Sequence, residues 1–210
     1  MKKTINFLKS RVFELAFASV SLLLILTLTL TSCNDSSNRN SNQNAKPEDT
    51  KAVAEEHNDA KFANTKEDDA KFLVAAAEIN LEEIQLGQLA QTLGTATHVK
   101  ELGKMMEKEH TKAQTDLRAL AAKKQITIPT TLTDDGISAN KKLMDTKASD
   151  FDKEYADMMV NGHKDAIDKF QKASTDATDP DIRNWATAML STFRTHLDQS
   201  INCQKECEKM

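Results

Sequence analysis

The chain has 210 residues, of which 39% are apolar and 29% charged, a balance that excludes a protein spanning the membrane many times. Glycine and proline number five and three, about 4% of the chain against roughly 12% in average usage, so turn-dense β-sandwiches and glycine-rich phosphate loops are poorly supported and a helical fold is favoured. The formal charge of −4 becomes −7 once residues 1–32, with four basic side chains and one acidic, are set aside; with one Trp and one Tyr besides, the chain lacks both the positive field and the stacking platforms of a nucleic-acid binder.

The segment from Met1 to Arg11 is basic, and Leu15 to Leu30 is an almost unbroken apolar run ending in Leu30-Thr31-Ser32-Cys33. A basic start, an apolar stretch and small residues before a cleavage point define a secretory signal peptide, here residues 1–32. The four residues ending at Cys33 resemble the lipobox of bacterial lipoproteins, in which the cysteine is acylated and becomes the new N-terminus. The alternative is a retained membrane helix, since about 20 apolar residues can span a bilayer. Both readings export the rest of the chain and hold residue 33 at a membrane, and several acyl chains on one residue anchor stably where one is marginal. The expected location is the cell envelope, at the outer membrane or its periplasmic face.

Residues 33–65 are rich in Asn, Ser, Asp, Gln and Lys, with five asparagines between Asn34 and Asn44. Such a segment buries too little apolar area to offset its chain entropy, and it reads as a polar, disordered tether with some helix toward Ala63. His57 reads as exposed.

A first long helix is expected from Lys66 to Leu93, where Phe72, Ala76, Ile79, Leu86, Ala90 and Leu93 recur at helical spacing with Glu83 in the middle of the stripe. A second, after Gly94 and Thr95, runs to Lys124 through Val99, Met106, Ala113, Leu117 and Leu120, and its stripe contains His110. The roughly 25 residues from Gln125 to Ser149 are long for a hairpin. They suggest a crossing connection between helices two and three, with a short helix around Ile137 to Asp145. The third helix is expected from an N-cap at Ser149, through Phe151, Tyr155, Met159, Ala166 and Phe170, with His163 on the same face. Asp179-Pro180-Asp181 is a strong start for the fourth, with a capping carboxylate, proline at the first position and acid at the positive end of the dipole. Its inward stripe is Ile182, Trp185, Ala186, Met189 and Phe193, continued by His196. The folded region is thus residues 66–202, and residues 203–210 form a cysteine-containing tail.

Each of the four helices therefore turns one polar group inward: Glu83, His110, His163 and His196. A carboxylate and several imidazoles inside a bundle are the ligand types that hold iron, zinc or copper. Glu107, three residues before His110, points to nearly the same side in a Glu-x-x-His spacing. A di-iron pattern needs this spacing twice, yet Val160 and Phe193 stand three residues before His163 and His196. The other readings are a metal-free hydrogen-bond network that includes the Tyr155 hydroxyl, and a catalytic use of the same groups. Cys203 and Cys207 lie one helical turn apart, seven residues and more beyond His196, open to a disulfide, to free thiols or to a soft metal. Met105-Met106 and Met158-Met159 read as core filler, and His98, off the stripe, as structural. No nucleotide loop, nucleophile elbow or His-Glu-x-x-His motif occurs.

From Asp69 to Gln199 the chain resembles the bacterial ferritin-like family known as domain of unknown function 4142, often described as an outer-membrane protein family. The residues that carry the resemblance are Glu83-Ile84-Gln85-Leu86-Gly87-Gln88-Leu89-Ala90, Val99-Lys100, Met105-Met106, His110, Phe151-Asp152-Lys153-Glu154-Tyr155, Met158-Met159-Val160-Asn161-Gly162-His163, Phe170 and Thr195-His196-Leu197. The resemblance implies an all-α, ferritin-like four-helix bundle and no defined activity. Phe170 is followed by Gln171 and Lys172 where relatives often carry an acidic residue, a departure that weakens an iron-oxidase analogy. The sequence points to a lipid-anchored envelope protein with a binding or structural, stress-related role more readily than to an enzyme. The alternative is a metal-binding or redox bundle using Glu83, Glu107, His110, His163 and His196.

Overall fold

Helix-breaking residues are few: among the described residues Gly94, Pro129 and Pro180 sit at or between helix ends, and the other four glycines lie within helices. The computed structural model describes residues 49–62 and 66–210; the expected signal peptide, Cys33 and the first part of the expected tether lie outside the described residues. Six helices are described: α1 (Thr50–Phe62), α2 (Glu67–Leu93), α3 (Thr97–Lys124), α4 (Asp134–Asp145), α5 (Phe151–Asp176) and α6 (Pro180–Cys207). There is no strand among the described residues, and none of their helices is long and apolar enough to cross a membrane.

Local chemistry sets the boundaries. Asp179 accepts from the Asp181 backbone N–H (2.9 Å) and Pro180 occupies the first position of α6, as the sequence predicts. Thr133 caps α4 through the Gly136 N–H (3.2 Å). The expected N-cap Ser149 is not used. A turn from Lys147 to Asp150 already carries Asp150 into helical geometry, and the Ser149 hydroxyl donates to the Asp150 carboxylate instead.

Apolar side chains gather in two clusters. The first holds Leu73, Ala77, Leu117, Ala166, Phe170, Ile182, Ala186 and Phe193. Its aromatic rings meet edge to face, Phe72 on Phe170 at 4.9 Å and Phe170 on Phe193 at 4.7 Å between centroids. The second holds Leu86, Ala90, Val99, Met106, Leu143, Phe151, Tyr155, Met159, Cys203 and Cys207. Along α2 and α6 the first cluster precedes the second, and along α3 and α5 the order is reversed. Between the clusters lie the buried polar residues Asn80, Glu83, His110, Gln114, His163, His196 and Ser200.

Two buried aspartates tie the helix pairs together. Asp69, at the start of α2, accepts from the Thr178 N–H (2.8 Å), the Thr178 hydroxyl (2.6 Å) and the Asp179 N–H (2.9 Å), which form the turn between α5 and α6. Asp152, at the start of α5, accepts from the Thr95 N–H (2.9 Å), the Thr95 hydroxyl and the Ala96 N–H (2.8 Å) in the turn between α2 and α3. The same length of chain separates Asp69 from Asp152 and Thr95 from Thr178, so the α2–α3 and α5–α6 hairpins clamp each other reciprocally. Burial works against the Asp152 charge, yet the Thr95 and Ala96 donors hold its pKa below the usual carboxylate value. The backbones of α2 and α3 come close at Gly87 and Gly103, where a Cβ on either would stand 2.6 Å from the other's carbonyl oxygen.

The boundaries drawn from sequence shift at both ends. The far end of the expected tether is α1, which packs on α2, buries Ala54 and Asn58, and exchanges two 2.8 Å hydrogen bonds between the Asn58 amide and the Thr127 backbone. The expected tail beyond residue 202 is helical to Cys207, because nothing from Leu197 onward interrupts the helix and both cysteines pack in the second cluster. Leu93, placed on the inward stripe by its spacing, is exposed at the end of α2, while Trp185 and Met189 sit partly buried at the edge of the first cluster.

Candidate metal centre

The polar layer forms because each long helix presents one or two non-apolar residues at core positions between its two apolar stretches. His110, His163 and His196 are 1%, 1% and 2% exposed and come from α3, α5 and α6. Their rings form a near-equilateral triangle, with centroids 5.6 Å (His110–His163), 5.3 Å (His110–His196) and 5.2 Å (His163–His196) apart. One nitrogen from each ring lies within 4.8 Å of the others. Phe193 stacks on His110 at 5.6 Å and walls the layer from the first cluster.

The acceptors around the rings place their protons. His110 Nδ1 donates to the Asn80 side-chain oxygen (3.0 Å), and Asn80 in turn donates to Gln114 (3.2 Å). That leaves His110 Nε2 as a lone pair, buried and without a hydrogen-bond partner. His163 Nδ1 donates to the Met159 carbonyl (2.9 Å), so its Nε2 accepts from His196 Nδ1 (3.2 Å). A histidine whose outer N–H is held by a carbonyl or amide oxygen while the other nitrogen turns inward is arranged as a metal ligand with its supporting shell.

Burial holds His110 well below the ordinary histidine pKa, with His163 and His196 adding to the shift. Burial first, then His196, brings His163 down to about 4, opposed by its bond to Met159. His196 falls to about 4 through burial, opposed by Glu109. All three imidazoles are therefore neutral near pH 7, the form that binds metals.

Glu83 is 5% exposed on α2, with Oε1 3.7 Å from His163 Nδ1 and Oε2 without a partner. Burial, with the neighbouring Glu82, pushes its pKa well above the usual value. Gly162 makes room for it: a Cβ at that position would stand 3.2 Å from Glu83 Oε1. Glu82 itself is pushed up to about 7 by burial, Glu78 and Asp135.

Glu107 does not join this group. Its carboxylate accepts from Gln91 (2.7 Å) and Gln88 (2.8 Å) on α2, which hold its pKa down. Three residues along a helix leave about 60° of rotation between side chains, enough to send Glu107 to the edge of the α2–α3 seam while His110 points inward. Tyr155 is fully buried in the second cluster, but its hydroxyl has no partner, so it does not close a network with Glu83. Asn80 and Gln114 are the members that sequence reading missed. Asn80 precedes Glu83 by three residues and Gln114 follows His110 by four, spacings that place polar side chains one turn away on nearly the same face.

A second group of donors lies beyond the layer. His98 Nε2 is 3.4 Å from Cys207 Sγ, and His98, Cys203 and Cys207 bring their ligand atoms within 4.8 Å of one another. Both cysteines are free thiols. His57, as expected, is on the surface, where its Nδ1 meets the Thr127 hydroxyl at 2.8 Å.

Comparison with known proteins adds one match. Residues 50–202 match the family model described as "Domain of unknown function (DUF4142)", from the first residue of α1 to the residue before Cys203. No curated protein matches the chain, and no solved structure does.

Proposed function

Because the chain belongs to the DUF4142 family, whose description assigns no activity, we propose a function from its own side chains: a lipid-anchored protein of the cell envelope whose helical body, ferritin-like in its four long helices, binds a transition-metal ion through His110, His163 and His196, with Glu83 as the acidic neighbour. The observation that carries this reading is His110 Nε2, a buried lone pair with no partner in the middle of a neutral imidazole triangle. Nitrogen donors with a carboxylate suit iron, zinc or copper. Burial raises the Glu83 pKa, and a cation nearby would draw it back down and favour the carboxylate that balances part of the charge.

A metal-free hydrogen-bond network accounts for less of the geometry. Glu83 Oε2, His110 Nε2, Gln114 Nε2 and the Tyr155 hydroxyl are all buried without partners, and leaving such a group unpaired costs about 1–3 kcal/mol. An ion among the three imidazoles relieves His110 Nε2 directly, while Glu83, which is not among the residues whose ligand atoms gather within 4.8 Å, answers it as a nearby charge. The ferritin-like reading is supported by the opposite order in which the helix pairs cross the two clusters, and by the path of the α3–α5 connection from Ile126 in the first cluster to Leu143 in the second. The lipid anchor rests on the lipobox-like Leu30-Thr31-Ser32-Cys33.

The test is elemental analysis of the untagged full chain after exposure to iron, zinc and copper and removal of free ions. A variant with His110→Ala and His163→Ala is predicted to hold one equivalent less than the parent, and a variant with Cys203→Ser and Cys207→Ser to keep that equivalent. Equal metal content in the parent and the histidine variant would contradict the proposal. For the anchor, growth with labelled fatty acid is predicted to label the parent chain and not the Cys33→Ser variant, and an unlabelled parent or a labelled variant would contradict it.

A further inference from the structure

Cys203 and Cys207 stand at i and i+4 on α6, so both thiols face the same side, against the first turn of α3, where His98 projects. The thiols are 5% and 8% exposed and His98 is half-buried. Cys207 Sγ lies 3.4 Å from His98 Nε2 and 3.5 Å from the Asp152 carbonyl. Two sulfurs and one imidazole nitrogen, all within 4.8 Å of one another, are contributed by two different helices. A disulfide is a poor use of this pair, because the i, i+4 geometry of an intact helix does not suit the bridging dihedral. A nucleophilic thiol is equally unsuited: burial and the adjacent Cys207 raise the Cys203 pKa to about 12, and burial raises that of Cys207.

The surroundings favour a cation. His98 and Cys203 line a surface cleft with Glu101, Met105, Asn202 and Glu206, and a second cleft beside Asp152 reaches Cys207. An ion can therefore enter from solvent, and it meets a soft donor set under negative charge. We propose that His98, Cys203 and Cys207 form a second, separate site for a thiophilic d10 cation, zinc(II) or copper(I). Thiolate and thioether ligands select these ions over magnesium, calcium or manganese. Binding replaces the two thiol protons with one ion, so the site is pH-dependent and releases protons as it fills. The Met105 thioether in the cleft suits copper(I), and a carboxylate of Glu101 or Glu206 suits zinc(II). The site shares no ligand with the histidine layer, and it stands or falls independently of it.

The test uses the full chain, reduced and freed of metal. Cobalt(II), as a spectroscopic stand-in for zinc, is predicted to give thiolate-to-cobalt charge transfer in the near ultraviolet, a signature that imidazole and carboxylate ligands do not produce. Zinc(II) should displace it. Separate titrations with zinc(II) and with copper(I), held by a chromogenic chelator, should show which ion slows alkylation of both Cys203 and Cys207, followed peptide by peptide. Cys203→Ser and Cys207→Ser should each weaken the charge-transfer band by half or more and together abolish it, while the double variant His110→Ala/His163→Ala should keep it. His98→Ala, at a half-buried position that leaves the core intact, should lower the affinity about tenfold or more, the loss expected for one ligand. Absence of the band, with both thiols alkylated at the same rate with and without either ion in a fully helical chain, would overturn the proposal. So would isolation of the exported protein with Cys203 and Cys207 joined in a disulfide.

Discussion

The metal-free protein is predicted to be most stable near pH 6–6.5 and to lose stability on both sides, because the polar layer holds groups shifted in opposite directions. Between pH 6.5 and 4.5 the unfolded chain carries a proton on each of His110, His163 and His196 and none on Glu82 or Glu83, taking ordinary values of 6.5 and 4.5. The folded chain keeps the three imidazoles neutral and both glutamates protonated. The unfolded state thus binds one proton more, and stability falls by about 1.4 kcal/mol for each pH unit lost. Below pH 4.5 the unfolded glutamates take up protons too. The difference grows, helped by Glu107, Glu109 and Glu206, which the fold holds below their usual value, and the slope steepens until His163 and His196 protonate near pH 4. Above pH 7 the sign reverses: Glu82 ionises, and Glu83, raised well above the usual value, holds a proton that the unfolded chain has given up, so stability falls as pH rises until Glu83 ionises, with the raised Cys203 and Cys207 thiols acting in the same direction toward pH 9. Urea unfolding followed by circular dichroism from pH 4 to 9, in the presence of a chelator, measures the profile. His163→Gln removes one titrating imidazole and should flatten the segment from 4.5 to 6.5. A parent stability that does not change over that segment, or a variant with the parent's slope, would refute the reasoning.

Three further perturbations probe the frame and the layer. Gly103→Ala forces a methyl against the Gly87 carbonyl and the Ala90 side chain and should cost about 1–3 kcal/mol in urea unfolding, with a loss under half of that counting against a tight α2–α3 approach. Asp69→Ala strips three hydrogen bonds from the turn between α5 and α6 and should cost about 3 kcal/mol; Asp152→Ala should cost a similar amount if the clamps are equivalent. Glu83→Gln should reduce the fall in stability of the metal-free protein between pH 7 and 8, below the range where the thiols contribute, and an unchanged slope there would show that Glu83 is ionised in the fold.

Long amphipathic helices were readable because their apolar spacing and their breakers agree. Gly94-Thr95 and Asp179-Pro180 mark true helix ends, and Glu83, His110, His163 and His196 are buried where the stripes place them. Features that depend on contacts between distant segments were not readable. Helix toward Ala63 is expected from the sequence, but the packing of α1, a polar helix held by Asn58 against Thr127, is not, because its composition is that of a solvated segment. His98 lies off its own helix's stripe because it faces the far end of α6, more than a hundred residues along the chain. The inward direction of Glu107 failed because spacing fixes an angle around one helix and not the neighbour that captures the side chain, here Gln88 and Gln91. Tyr155 was correctly placed inside, but whether its hydroxyl finds a partner depends on the depth of the ring in the second cluster.

The most direct measurement of the central claim is X-ray absorption at the K-edge of the metal bound to the full chain carrying Cys203→Ser and Cys207→Ser, which removes the thiol donors. The account predicts a first shell of nitrogen and oxygen with the multiple scattering of three imidazoles, lost when His110 and His163 are also replaced by alanine. A shell without imidazole scattering, or one that survives those two substitutions, would contradict it.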